Sequence, residues 1–187
     1  MKTIPTELAG VVVIEPRVFT DARGFFFESY NAERYAQAGI PGAFVQDNHS
    51  SSARNTIRGL HYQFRRPQGK LLRVIHGAVF DVAVDIRRGS PTFGRWVGIE
   101  LSAENKRQLF IPAGFAHGFC VTSELAEVEY KCTDVYVPND QHGVLWSDPT
   151  ISIPWPAREP ILSDKDREYL PLTLDRDDLP RYESGQR

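Results

Sequence analysis

Arg58-Gly59-Leu60-His61-Tyr62-Gln63, running on through Pro67-Gln68-Gly69-Lys70, brings a guanidinium, an imidazole and an ammonium into what otherwise reads as β-strand. Side chains alternate between the two faces of a strand. Arg58 and His61, an odd number of positions apart, therefore belong on opposite faces. Gly59 lies between them, and an isolated glycine inside a strand often marks a bulge that re-aims a side chain. The stretch reads as a strand whose bulge at Gly59 turns Arg58 and His61 to one surface. The alternative is a solvated edge strand with scattered polar residues.

On both sides of this stretch the chain is a series of short strands. Before it, a β-branched run at 11–14 predicts a first strand and 25–30 a second. Asn31 caps a helix over 32–38 that Gly39 stops. Residues 44–48 read as extended, leading into a polar loop at 49–52. After it come strands at 71–75, 79–86, 96–101, 108–111, 118–121 and 127–137, separated by turn residues such as His76-Gly77 and Arg88-Gly89-Ser90-Pro91. Many short strands at this spacing predict a sandwich or barrel, not alternating βαβ units. Within 79–86, Phe80, Val82, Val84 and Ile86 alternate with Val79, Asp81, Ala83 and Asp85. One face is core; the other is polar, facing solvent or a wet lumen. Beyond Trp146-Ser147-Asp148-Pro149 the chain is proline-punctuated, and Ser163-Asp164-Lys165-Asp166 fits a capping box opening a brief helix through Tyr169. From Asp175 onward the polar, charged residues predict a frayed tail.

At 187 residues the chain is long enough for one domain with a substantial core. Its 41% hydrophobic and 25% charged content is that of a soluble globular protein. A formal net charge of −2 argues against a dedicated nucleic-acid binder, so basic residues must cluster if they are to hold an anion. There is no apolar run approaching the ~18 residues of a membrane-spanning helix. Met1 to Gly10 has one lysine and no signal-peptide apolar core. Cys120 and Cys132 form no metal-spaced pair, and reduced thiols in a cytoplasm are expected.

Pro112-Ala113-Gly114-Phe115-Ala116-His117 resembles the second signature of the cupin superfamily, Pro-x-Gly-x-x-His. Metal cupins supply His-x-His plus a carboxylate from the first signature. Here the matching place reads His61-Tyr62-Gln63, and Lys70 follows. An amide replaces a ligand, and an ammonium repels a cation. No metal is therefore expected, although a metal-dependent cupin enzyme stays an alternative. Without a metal the same lumen offers acid–base chemistry. Histidine has an unperturbed pKa of about 6.5, needs an orienting group on its other nitrogen, and could work beside a lysine that stabilises a developing oxyanion.

The chain resembles the dTDP-4-dehydrorhamnose 3,5-epimerase family from about Ile14 to Asp166. The motifs are Glu15-Pro16-Arg17-Val18-Phe19, Asp21-x-Arg23-Gly24-Phe25-Phe26, Phe44-Val45-Gln46-Asp47-Asn48, Arg58-Gly59-Leu60-His61, Phe80-Asp81-Val82-Ala83-Val84-Asp85, Ile111-Pro112-x-Gly114-Phe115-Ala116-His117-Gly118-Phe119 and Tyr130-Lys131-Cys132-Thr133. The resemblance implies an all-β, cupin-type jelly-roll β-barrel with short flanking helices. The whole of 1–187 would form one domain: N-terminal strands and helix over 1–50, barrel core over 51–140, a C-terminal segment over 141–174, and the tail at 175–187. It implies a cytoplasmic homodimer that works without a cofactor on dTDP-4-keto-6-deoxyglucose.

The resemblance also implies roles. His61 matches the base, Asp166 the carboxylate that orients it, Tyr130 the acid and Lys70 the residue beside the C4 oxygen. Arg23, Glu28, Gln46, Asp47, Asn48, Arg58 and His117 match substrate-binding positions. Tyr136 matches the aromatic that stacks on thymine, and Gln141 and Lys165 complete the binding set. Gln141 departs from relatives that carry an acidic contact there, and Val135 from those with a second tyrosine. Read as one strand, Tyr130 and Tyr136 share a face and span roughly 20 Å, which suits one at the sugar and the other at the base. Asp166 could instead be only a helix cap, His117 a satisfied core histidine, and Tyr136 a plain strand aromatic. A single-site 3- or 5-epimerase and a non-catalytic sugar-binding cupin are the alternative functions.

Overall fold

The computed structural model describes residues 1–40 and 43–183. Its strands are β1 (Lys2–Pro5), β2 (Val12–Glu15), β3 (Phe19–Asp21), β4 (Gly24–Phe26), β5 (Gln46–Ala53), β6 (Ile57–Gln63), β7 (Lys70–His76), β8 (Ala78–Asp85), β9 (Trp96–Ser102), β10 (Gln108–Ile111), β11 (Phe115–Val121), β12 (Leu125–Cys132) and β13 (Gln141–Gly143). Two short helices accompany them, α1 (Ala32–Gln37) and α2 (Asp164–Glu168). One sheet runs β1-β2-β10-β7-β12-β5 and the other β13-β6-β11-β8-β9, while β3 and β4 form a separate hairpin. Every strand pair is antiparallel. The arrangement is the expected jelly roll, with the two sheets facing each other rather than closed into a barrel by backbone pairing.

Three apolar layers follow from the strand patterns. Between the sheets, Leu72, Val74 and Val128 of one pack with Val79, Ala83 and Phe119 of the other. On the outer face of the five-stranded sheet, Val82, Val84 and Ile86 meet Val144, Ile151, Leu172 and Leu179 of the C-terminal segment. On the outer face of the six-stranded sheet, Tyr35 and Ile40 cover Ile14, Leu71 and Phe110. Helix α1 starts as expected: the Asn31 side chain accepts from the Arg34 N–H, and Gly39 leaves the helix at a φ of +80°.

Several expectations are corrected. Residues 49–52 are strand, not loop; β5 is an outer strand of its sheet, and its polar residues on both faces hide the period of two. The run at 127–137 stops being strand at Cys132, so the strand-based spacing of Tyr130 and Tyr136 does not apply. The strand expected over 25–30 ends at Phe26. The odd face of β8 is not wet: Asp81 and Asp85 are 0% exposed. Both are satisfied, Asp81 by His117 and Asp85 by Arg87, Ser90 and Thr92.

The tail is also held, as far as it is described. Arg176 Nη2 donates to the Tyr62 hydroxyl, to the Gly143 carbonyl and to Asp178. Leu179 is buried, and the Tyr182 N–H donates to the Arg88 carbonyl. Residues 184–187 of the expected frayed stretch lie outside the described residues.

The expectation at Gly59 holds. Between β6 and β11, His61 pairs with His117 but Arg58 pairs with Phe119, a register shift of one residue. Gly59 has a φ of +127°, and a Cβ there would lie 2.5 Å from the Gly118 Cα and 2.7 Å from the His117 carbonyl oxygen. Arg58 and His61 both reach one cavity as a result. Gly59→Ala should therefore lower stability by at least about 1–3 kcal/mol, from backbone strain plus overlap. Urea unfolding measures this, and an unchanged midpoint would show that the two strands separate there without cost.

Candidate active site

The space between the sheets opens into a cavity of about 510 Å³. Gln46, Asn48 and Ser50 enter it from β5, Arg58, His61 and Gln63 from β6, Lys70 from β7, His117 and Phe119 from β11, and Tyr130 from β12. Tyr136 and Gln141 line one end, and Ile161, Leu162, Ser163, Lys165 and Asp166 form a wall from the C-terminal segment.

His61 Nε2 and Asp166 Oδ1 are 2.5 Å apart. Asp166 is 3% exposed. It serves as half of a capping box, since its N–H donates to the Ser163 Oγ at 3.1 Å. Its carboxylate does not return to the Ser163 backbone; it accepts from the imidazole, which leaves Nδ1 as the basic ring nitrogen. His117 makes a second such pair, with Nε2 3.1 Å from each carboxylate oxygen of Asp81. Burial pushes the His117 imidazole below its ordinary pKa, and Asp81 pulls against that.

Burial likewise pushes the Lys70 ammonium down, opposed by Cys132 and Asp81. Its Nζ lies 6.0 Å from the centre of the Tyr130 ring. Burial raises the Tyr130 phenol, with Arg58 acting in the opposite sense, so the phenol is protonated at neutral pH. Arg58 Nε donates to the Ser52 Oγ at 2.9 Å.

Tyr136 is held by its backbone rather than by a sheet. Its N–H donates to the Gln46 Oε1 at 2.7 Å. The next N–H, of Val137, donates to the Gln63 Oε1, and the Gln63 Nε2 donates to the Val135 carbonyl. The amide that stands where metal cupins have a second histidine is thus a clamp on the loop bearing Tyr136. The Tyr136 hydroxyl donates to the Gln141 Oε1 at 2.6 Å.

His61, Lys70, Tyr130, Asp166, Gln46, Asn48, Arg58, His117, Tyr136, Gln141 and Lys165 are therefore brought together. Arg23, Glu28 and Asp47 are not. Arg23 sits on the β3–β4 hairpin paired with Asp21, with its side chain 89% exposed. Glu28 pairs with Arg34, and Asp47 with Lys131.

Sequence reasoning missed Asp81, whose place on the lumen side of β8 was a usable signal. It also missed Ser50, whose buried Oγ has no hydrogen-bond partner among the described residues; the alternation Gln46, Asn48, Ser50 would have found it had β5 been read as a strand. Nothing local marked Ile161 and Leu162 as wall residues, and the capping box marked Ser163 only as a helix start. Among the described residues no group of three or more His, Cys, Asp or Glu side chains is placed to hold a metal ion, and no helix is long and apolar enough to cross a membrane.

The family described as dTDP-4-dehydrorhamnose 3,5-epimerase matches residues 5–173. The chain is 59% identical over 170 residues to the dTDP-4-dehydrorhamnose 3,5-epimerase of Pseudomonas aeruginosa, covering 90% of this chain and 94% of the relative. A crystal structure of the dTDP-6-deoxy-D-glucose-3,5-epimerase from Legionella pneumophila, in complex with dTDP-4-keto-L-rhamnose, has a TM-score of 0.95 at 50% identity. That match covers 98% of this chain and 99% of the other. A 4-keto-6-deoxy sugar epimerase from the novobiocin biosynthetic gene cluster of Streptomyces spheroides has a TM-score of 0.93 at 39% identity, covering 97% and 94%.

The buried Lys70 ammonium has a consequence for stability. Its folded pKa lies below the unfolded value, so between the two the unfolded chain binds more protons and stability rises with pH. The penalty is fully present below the folded pKa and disappears as pH rises through the unfolded value. Lys70→Met should accordingly raise the thermal midpoint at neutral pH and lose that advantage in strongly alkaline buffer. Scanning calorimetry at both pH values checks it; a lower midpoint at neutral pH would mean that the ammonium is stabilising.

Proposed function

This chain belongs to the dTDP-4-dehydrorhamnose 3,5-epimerase family, and we propose that it converts dTDP-4-dehydro-6-deoxy-D-glucose to dTDP-4-dehydro-L-rhamnose with its own His61, Tyr130, Lys70 and Asp166. The observation that carries the proposal is that His61 and Tyr130 enter one cavity from opposite sheets. Inversion requires that a proton leave one face of a carbon and return to the other. Two proton-transfer groups on facing walls suit that need.

The protons at C3 and C5 are both α to the C4 ketone, so one enolate chemistry serves both carbons. His61, held by Asp166, removes the proton through its free nitrogen. Charge develops on the C4 oxygen, where the Lys70 ammonium stabilises it. Tyr130, kept protonated by burial, delivers a proton to the opposite face. The base then loses its proton to solvent, and the phenolate regains one. Arg58 and Lys165 supply positive charge for the diphosphate, and Tyr136 offers its ring to thymine beside Gln141. No step of this scheme calls on a metal or another cofactor.

We further propose that the chain works as a cytoplasmic homodimer. Phe19, Phe25 and Phe26 on the β3–β4 hairpin are 51%, 61% and 71% exposed. That exposed apolar surface supports the dimer, in which a second copy would cover it, and Cys120 and Cys132, both free and buried, suit a reducing compartment.

Incubation with the substrate in D2O tests the chemistry. The wild type should place deuterium at both C3 and C5, whereas exchange at one carbon would select a single-site epimerase and none a binding protein. His61→Asn should lose exchange and product together by at least about 10²–10⁴-fold. Tyr130→Phe keeps the ring and removes only the hydroxyl, so it should wash deuterium into substrate while forming little inverted product. Product formed by Tyr130→Phe at near the wild-type rate would mean that another group is the acid. For the assembly, light scattering should give twice the 21.2 kDa chain mass, and Phe25→Ser/Phe26→Ser should shift it toward the monomer; a monomeric wild type overturns the dimer.

A further inference from the structure

Gly143 of β13 stands directly opposite His61 of β6 in the register of the two strands. It has no side chain, and the Tyr169 ring fills the space: a Cβ at Gly143 would lie 2.3, 2.4 and 2.5 Å from three of its ring atoms. From this notch Tyr169 meets the His61 imidazole edge to face, with centroids 5.8 Å apart and planes at 70°. Tyr169 caps the C-terminal end of α2, the helix that carries Asp166. The chain beyond it is fixed to the segment that follows β13, since the Leu145 N–H donates to the Leu170 carbonyl at 3.0 Å. The Tyr169 hydroxyl accepts from the Gln141 Nε2 at 3.4 Å, and burial pushes the phenol up to about 12. Tyr169 is not part of the cavity wall, so it acts on substrate only through other residues.

A single hydrogen bond to a carboxylate fixes one ring nitrogen of a histidine. It leaves the ring free to rock about that bond, because χ2 of histidine is a broad, shallow torsion. A second contact on the ring removes this freedom. We infer that Tyr169 is a positioning residue for proton transfer: seated in the Gly143 notch, it sets the plane of the His61 imidazole so that the nitrogen opposite Asp166 meets the substrate carbon. The inference rests on the reading of His61 as the base. Gly143 belongs to the same device, because any side chain there evicts the ring. Misaligning a catalytic group by about 1 Å can cost up to about 10²-fold in rate.

The test is steady-state kinetics on dTDP-4-keto-6-deoxyglucose with thermal unfolding of every variant alongside. Tyr169→Ala and Gly143→Ala should each lower kcat by about 10–10²-fold with little change in KM. Tyr169→Phe keeps the ring and should recover most of kcat. In the Tyr169→Ala background, Gly143→Ala should add no further loss, since no ring remains to be displaced. Should Tyr169→Ala fail to fold, Tyr169→Leu fills the notch without an aromatic edge and should show the same kcat loss.

A rise in KM at constant kcat would overturn the inference, as would losses that multiply in the double variant. His61→Ala, run in parallel, separates the two levels. If it is inactive while Tyr169→Ala and Tyr169→Leu turn over normally, only the role of Tyr169 fails. If His61→Ala turns over normally, the base assignment fails and takes this inference with it.

Discussion

The backbones of β6 and β11 approach at Gly59 and Gly118 more closely than any pair of side-chained residues permits; a Cβ on either would lie under 3 Å from the facing strand. That contact lets β6 accommodate one extra residue, and the extra residue undoes the ordinary alternation of a strand. Arg58 and His61 then share the cavity. The same register sets His117 across from His61, which gives one wall of the lumen two imidazoles. Each imidazole has its own buried carboxylate, Asp166 for one and Asp81 for the other.

The two carboxylates differ in origin. Asp81 comes from β8, within the same sheet as His117. Asp166 comes from a helix of five residues far along the chain. A helix that short has little stability of its own, so the position of Asp166 depends on how the C-terminal segment is fastened. The fastening is a part-buried polar network: Arg176 donates to Tyr62, Gly143 and Asp178, and Asp178 also bonds His142. Arg176 holds the Asp178 carboxyl down at about 2, against the upward push of burial. Tyr62 is the immediate neighbour of His61 and points to the other face of β6. One strand therefore carries the imidazole on its inner side and anchors the segment that orients it on its outer side.

The lumen also contains a cation that burial disfavours. Lys70 is desolvated, and the neighbouring Cys132 and Asp81 oppose the resulting shift. A site built this way gives up stability to keep a positive charge in the cavity, a common exchange in enzymes. Three apolar layers, one between the sheets and one on each outer face, make that tolerable.

Much of this was legible in the order of residues. The jelly roll came from the family resemblance; alternating β-branched runs between turns marked a sandwich or barrel, and Gly59 marked the bulge, because period and glycine are local signals. Asn31 and Ser163 marked both helix starts for the same reason. The motifs around His61, His117 and Tyr130 pointed to acid–base chemistry in a lumen. Local signals failed where the cause was distant. The polar residues of β5 read as loop, because neither face of an outer strand shows an apolar period. Tyr136 read as strand, although its position comes from the amides of Gln46 and Gln63. The tail read as frayed, because Arg176 and Asp178 look solvated until Tyr62, Gly143 and His142 are brought to them. The sequence by itself determined most of the strands, both helix starts and the His61, Lys70, His117 and Tyr130 groups of the lumen, since these follow from neighbours in the chain. Only the tertiary structure decided how those groups face one another. A hydrogen bond such as His61 to Asp166 joins residues whose separation along the chain says nothing about their distance in space.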